Sequence, residues 1–173
     1  VYAVGAVAGP YQFTHIAGYH AGIVTRSALF RMPAKVDYRA VPWVTYCDPE
    51  LASVGMSEAE ARARHGDVQV LRWPFAENDR AQAERDTGGM VKVFITPKGH
   101  ILGATILGAQ AGELIQIWCL AIQQKLKIGA VAGVILPYPT LGEASKRAAG
   151  SFYTPKLFSD RIRKIVRFLG RFG

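Results

Sequence analysis

Gly89-Met90-Val91-Lys92-Val93-Phe94-Ile95-Thr96-Pro97-Lys98-Gly99-His100-Ile101-Leu102-Gly103-Ala104-Thr105-Ile106-Leu107 reads as two strands, Gly89 to Ile95 and Ile101 to Leu107, joined through Pro97-Lys98-Gly99-His100. The flanks are rich in β-branched residues, and a short connection containing Pro and Gly suits an antiparallel hairpin. Upstream, Trp43-Val44-Thr45-Tyr46 and Val68 to Phe75 read as further strands, with Asp48-Pro49 breaking the first. Between them Ser57-x-x-Glu60 has the form of a capping box, in which the hydroxyl and the carboxylate satisfy N–H groups at a helix start. It opens a helix from about Glu58 to Arg64, stopped by Gly66. Asn78 to Arg85 reads as a turn or short helix.

Downstream the pattern turns helical. Ala111 to Gln124 is apolar nearly all round, so the helix is expected to be buried on more than one side, against a sheet or a second subunit. A short helix from about Ile128 to Ile135 precedes Leu136-Pro137-Tyr138-Pro139, and Thr140-x-x-Glu143 reads as a second capping box opening a last core helix. Strands in a block followed by helices predict an α+β fold, a mainly antiparallel sheet with helices packed on one side. Ahead of it, Val1 to Ala8 reads as a buried strand, Thr14 to Leu29 as a helix, and Phe30 to Val41 as a linker. The predicted organisation is therefore 1–34, 42–152 and a tail over 153–173. An opening that reads as the middle of a buried strand predicts a longer parent chain.

Half of the 173 residues are hydrophobic, enough for one domain with a real core, and no stretch approaches the ~20 apolar residues of a membrane span. The first residues have no basic n-region of a signal peptide. Cys47 and Cys119 stand 72 positions apart, which fits two small core residues in a reducing cytoplasm rather than a redox pair. Of the net charge of +8, Lys156 to Gly173 contribute +5, with six basic residues against Asp160. The remainder is mildly basic and contains no nucleic-acid reading element, so no nucleic-acid partner is expected. Phe158 to Phe172 places Ile162, Ile165, Val166 and Leu169 on one helical face and Arg161, Arg163, Lys164, Arg167 and Arg171 mostly off it. Such a helix can lie on an anionic membrane surface, dock on the parent protein, or end in solvent.

Four segments together resemble one family. Val1-Tyr2-Ala3-Val4-Gly5 with Gln12-Phe13-Thr14-His15-Ile16-Ala17 is similar to the last FAD-contacting strand and helix of the dihydrolipoamide dehydrogenase, glutathione reductase and mercuric reductase group. Val41-Pro42-Trp43-Val44-Thr45-Tyr46-Cys47-Asp48-Pro49-Glu50-Leu51-Ala52-Ser53-Val54-Gly55-Met56 resembles the start of that group's interface domain. The hairpin quoted first, with Gly108-Ala109-Gln110-Ala111-Gly112-Glu113-Leu114-Ile115, resembles its centre, and Pro137-Tyr138-Pro139-Thr140-Leu141-Gly142-Glu143 its C-terminal active-site loop. The resemblance covers roughly residues 1 to 155.

The resemblance implies the interface-domain fold of FAD/NAD-linked reductases, a homodimer, and a loop that completes the partner subunit's active site. It implies FAD in the full-length parent, NAD(P)H bound by an upstream domain, and a part in cell redox homeostasis. Disulfide-reducing members place a general-base His on that loop and an orienting Glu five residues later. Those positions are Tyr138 and Glu143 here. A phenol with pKa ~10 is a poor base at neutral pH, which argues against dihydrolipoamide or glutathione as substrate. A Tyr there resembles the mercuric reductase branch, but no cysteine follows Cys119 to receive the metal. The family's Gly-Asp after the first strand is Gly5-Ala6 here, removing an acceptor for a ribityl hydroxyl of FAD. Phe13, Thr14 and His15 occupy the stretch whose N–H groups approach the flavin. His15 and His20 are too sparsely accompanied for a metal site. There is no G-x-G-x-x-G after a strand and no close cysteine pair, so the chain alone is expected to be inactive. A non-catalytic dimerisation module, or a membrane- or partner-docking module, stands as the alternative. Tyr138-Pro139 is expected to be cis, as the equivalent bond often is in the family.

Overall fold

The computed structural model describes residues 1–171. The chain divides into two compact units, Val1–Val41 and Pro42–Gly173. In the first unit the strand expected over Val1 to Ala8 is not formed. Gly5 sits at φ +74°, outside the extended region, and Gly5–Ala8 closes as a single 3-10 turn. An extended segment needs a neighbouring strand for its N–H and C=O groups. No described residue of this unit is in a strand, and Val4 and Val7 are exposed. The helix is present as α1 (Thr14–Ala28), with Ile16 and His20 buried. Gly5 N–H donates to His20 Nδ1 at 3.1 Å, so Nε2 carries the imidazole proton and faces the Tyr38 hydroxyl at 2.9 Å. His20 is thus a buried hydrogen-bonding core residue of this unit.

The second unit is a five-stranded antiparallel sheet in the order β1-β2-β5-β4-β3. β1 is Pro42–Thr45 and β2 is Glu50–Gly55. β2 is a strand the sequence reading missed. Asp48-Pro49, a cis peptide, lies in the turn of a β1–β2 hairpin instead of ending the sheet. Leu51-Ala52-Ser53-Val54 has weak strand propensity, and its conformation is set by pairing with β1 on one side and β5 on the other. α2 (Glu58–His65) has both arms of the expected capping box: Glu60 N–H donates to Ser57 Oγ, and Ser57 N–H to Glu60 Oε2. β3 (Gln69–Pro74) leads to a short α3 (Asp79–Glu84), and β4 (Met90–Ile95) and β5 (Ile101–Gly108) form the central hairpin. Its turn is closed by Thr96 N–H to His100 O and Gly99 N–H to Thr96 O.

Two layers follow from alternation along the strands. Ala52, Val54, Val91, Val93, Ala104 and Ile106 point to one face and are buried. That face is covered by α4 (Ala111–Leu114), α5 (Gln116–Gln123) and α7 (Glu143–Gly150), with α6 (Ile128–Ala132) packed on α7. The single helix expected over Ala111 to Gln124 is interrupted at Ile115, whose carbonyl accepts from both Trp118 and Cys119 N–H, a local 3-10 turn in the ladder. Trp118, Ala121 and Ile122 face the sheet, and the indole N–H of Trp118 donates to Ser145 Oγ of α7 at 3.1 Å in the core. α7 meets the sheet through Ala144, Ser145, Ala148 and Ala149, whose small side chains allow close approach. On the opposite face Ala61 of α2 packs with Val68, Phe94 and Leu102 at one end of the sheet. The chain crosses there at Gly103, where a Cβ would lie 2.0 Å from the Met56 carbonyl oxygen.

The expected Thr140 capping box is not formed. Thr140 Oγ1 donates instead to Pro137 O at 2.9 Å, and α7 begins three residues later at Glu143 with no side-chain cap. The Glu143 N–H is given to the Thr140 carbonyl at 3.4 Å rather than to the hydroxyl, and Gly142, which has no side chain, stands at the N-cap. After α7 come α8 (Thr154–Leu157) and α9 (Asp160–Leu169), the latter capped by Ser159. The amphipathic tail is therefore helical, and the last part of the expected segment, residue 172, lies outside the described residues.

Candidate functional site

Tyr138 stands on the loop between α6 and α7, followed by the expected cis bond to Pro139. Its ring is 69% exposed, while its hydroxyl donates to Asp79 Oδ2 at 2.9 Å. Asp79 is the first residue of α3, and it is placed there by Asn78. Asn78 is buried and uses both ends of its amide. Its Oδ1 accepts from Ala81 N–H at 3.0 Å to cap α3, and its Nδ2 donates to Thr140 O at 3.1 Å, tying α3 to the loop. Sequence reasoning missed both residues. They lie roughly 60 positions from the loop, and nothing local in Glu77-Asn78-Asp79 signals that partner.

Glu143 is half-buried at the start of α7 and lines a cavity of about 250 Å³ with Trp73, Glu77, Asn78, Asp79 and Arg147. Three carboxylates against one guanidinium make this an acidic pocket. The bond to Asp79 raises the Tyr138 pKa above its ordinary value, with the charge of Asp79, partial burial and the charge of Glu143 adding to it. The phenol is therefore a held proton donor at neutral pH, not a base. Glu143 acts on it through charge, and Asp79 supplies the hydrogen bond. The indole N–H of Trp73, in the same pocket, is buried with no partner.

The other expected site residues lie in the first unit. Gly5 is buried, with its N–H engaged by His20. Ala6 is exposed and offers no polar side chain. Phe13 precedes α1, and its carbonyl accepts from Ile16 and Ala17 N–H. Its ring stacks on His15 at 5.1 Å between centroids, and Thr14 and His15 are exposed at the uncapped start of the helix. Against a flavin, this segment offers the positive end of a helix and no side-chain acceptor at Ala6.

Among the described residues no group of three or more His, Cys, Asp or Glu is placed to hold a metal ion. Cys47 and Cys119 are both free. Burial pushes the Cys119 thiol up to about 11, so it is protonated and unreactive at neutral pH. No helix of the described residues is long and apolar enough to cross a membrane.

Residues 41–149 match the model of the pyridine nucleotide-disulphide oxidoreductase dimerisation domain. The chain is 38% identical over 156 residues to a dihydrolipoyl dehydrogenase of Rhizobium etli, covering 88% of this chain and 32% of that protein. It is 35% identical over 153 residues to a mercuric reductase of Staphylococcus aureus, covering 88% and 28%. Among solved structures, LpdA from Mycobacterium tuberculosis superposes with a TM-score of 0.80 at 25% identity, covering 87% of this chain and 33% of that one. The HOCl-induced flavoprotein disulfide reductase RclA from Escherichia coli superposes with 0.79 at 30% identity, covering 85% and 34%. The chain thus spans about a third of the length of the curated relatives it matches.

Proposed function

Because the chain belongs to the pyridine nucleotide-disulphide oxidoreductase family and carries its dimerisation domain, we propose that it is the homodimer-forming portion of an FAD-dependent NAD(P)H oxidoreductase. The observation that carries the dimer is the outer side of α4 and α5. Trp118, Ala121 and Ile122 already fill the core, yet Leu114 and Ile117 remain half-buried and Leu120 is 57% exposed. These three residues recur at helical spacing, and Ile135 adds 94% exposure beyond α6. Such a stripe is suited to a second copy of itself, with the 137–142 loop carried to the partner's active site.

In that reading residues 1–34 end the FAD-binding domain, 42–152 form the interface, and 153–173 are an added tail. Gly5, Phe13, Thr14 and His15 would form the flavin-facing wall, with Ala6 contributing backbone only; the flavin itself supplies electron transfer from NAD(P)H. Tyr138 presents a proton-bearing hydroxyl, Asp79 holds it, and Glu143 keeps the pocket negative. A Tyr in place of a histidine base favours an acceptor that needs a hydrogen-bond donor over a dithiol that must lose a proton. Two free cysteines suit a reducing cytoplasm.

Size-exclusion chromatography with light scattering on the full chain tests the dimer. The expected mass is twice 18.8 kDa, with a colourless protein and no turnover, and Leu120→Glu shifts it toward monomer. A stable monomer at tens of micromolar (about 10⁻⁵ M, well within the range of ordinary dimer affinities) would overturn it.

A further inference from the structure

α9 is built unlike the rest of the chain, and it lies beyond the segment shared with the family. At ~100° per residue, Ile162, Ile165, Val166 and Leu169 fall within about 100° of arc. Arg161, Arg163, Lys164, Arg167 and Arg171 lie in the remainder, where Phe168 also falls, between Lys164 and Arg161. In a core helix the apolar arc would be covered. Here Val166 is 61% exposed and Leu169 60%, and Leu157 and Phe158 just before the helix are 59% and 66% exposed. The one acid of the helix, Asp160, stands at its first position, 3.8 Å from Arg163, and leaves the rest of the segment cationic.

We infer that α9 docks in the plane of an anionic lipid surface. Charge complementarity selects this occupant. The apolar arc is narrow and shallow, and the basic residues flank it on both sides, where the phosphate headgroups would stand as the arc enters the acyl boundary. A self-associating helix would instead bring this cationic rim against its own copy, with only Asp160 to offset the repulsion. Ten residues rise about 15 Å, half of what a hydrocarbon core requires, so the helix lies on the surface and does not cross it.

The test is co-sedimentation of the full chain with vesicles of phosphatidylcholine alone and of phosphatidylcholine mixed with phosphatidylserine. Binding is expected to the mixed vesicles and not to the neutral ones, and to weaken with salt. Each Lys or Arg near an anionic leaflet contributes about fivefold in partitioning, so Lys164→Gln with Arg167→Gln should weaken it about 25-fold. Val166→Asp with Leu169→Asp, or removal of residues 158–173, should abolish it. Circular dichroism melts report whether the sheet domain is intact in each variant. Equal binding to neutral vesicles, no binding to either, or binding that survives Val166→Asp with Leu169→Asp in a folded protein would each overturn the inference. So would tail-dependent self-association without vesicle binding, which would assign the face to a second copy of the chain.

Discussion

Asn78→Ala is expected to destabilise the Pro42–Gly173 unit by about 2–3 kcal/mol. Asn78 is 4% exposed, and its amide makes two hydrogen bonds at 3.0 and 3.1 Å. Loss of the α3 cap costs about 1 kcal/mol. Loss of the bond to Thr140 O leaves that carbonyl with only the long 3.4 Å bond from Glu143 N–H, at a further cost of about 1–2 kcal/mol. For a unit of this size that lowers the melting temperature by about 6–12 °C. Thermal melts by circular dichroism and urea titrations give the number, and Asn78→Ser separates the two contributions. Serine keeps an acceptor for Ala81 N–H and loses the reach to Thr140, so it should recover roughly half of the deficit. The same anchor holds Tyr138, and amide exchange over residues 138–142 should quicken in both variants. An Asn78→Ala protein melting within about 2 °C of the parent would refute the view that this amide ties loop to helix.

Ser145→Ala leaves the buried Trp118 indole N–H without its partner and should cost about 1–3 kcal/mol. Combined with Trp118→Phe, the loss should fall about 1 kcal/mol short of the sum of the single losses; additive losses in urea titration would count against that bond. Glu58 is hydrogen-bonded by Lys92 and by Arg62, which pull its carboxyl from 4.5 down to about 2. Because the folded value is the lower one, this contribution is present above pH 4.5 and is lost as pH falls toward 2. Urea midpoints measured from pH 5 to 2 should therefore fall less steeply in Glu58→Gln, and an unchanged slope would remove the ion pair from the acid response. Asp79→Asn should lower the Tyr138 pKa toward the ordinary tyrosine value, read as tyrosinate absorbance with Tyr138→Phe identifying the component. No change in that component would mean that Asp79 does not hold the hydroxyl.

Much of the architecture could be read from local pattern. The Met90–Ile95 and Ile101–Gly108 hairpin, the α2 capping box and the amphipathic α9 each rest on residues a few positions apart, and all three are present. The misreadings share the opposite property. Glu50–Gly55 is a strand because two neighbours pair with it, not because Leu-Ala-Ser-Val prefers to be extended. Val1 to Val4 has strand-like composition and no strand beside it, and the Glu143 N–H goes to the Thr140 carbonyl instead of its hydroxyl.

The site divides in the same way. Tyr138 and Glu143 were reached through the resemblance of Pro137 to Glu143 to the family's C-terminal loop, where a phenol stands in place of a histidine base. That the phenol is held by Asp79, that Asp79 is placed by Asn78, and that Thr140 is tied to Asn78 required the fold. Sequence by itself determined the fold class and the antiparallel hairpin, since periodicity and turn chemistry act over a few residues, while the loop was identified by its resemblance to the family's. Only the tertiary structure decided which distant carboxylate meets Tyr138 and which apolar stripe of α4 and α5 is left over once the sheet is covered, because hydrogen bonds and burial are settled between segments that the chain separates by tens of positions.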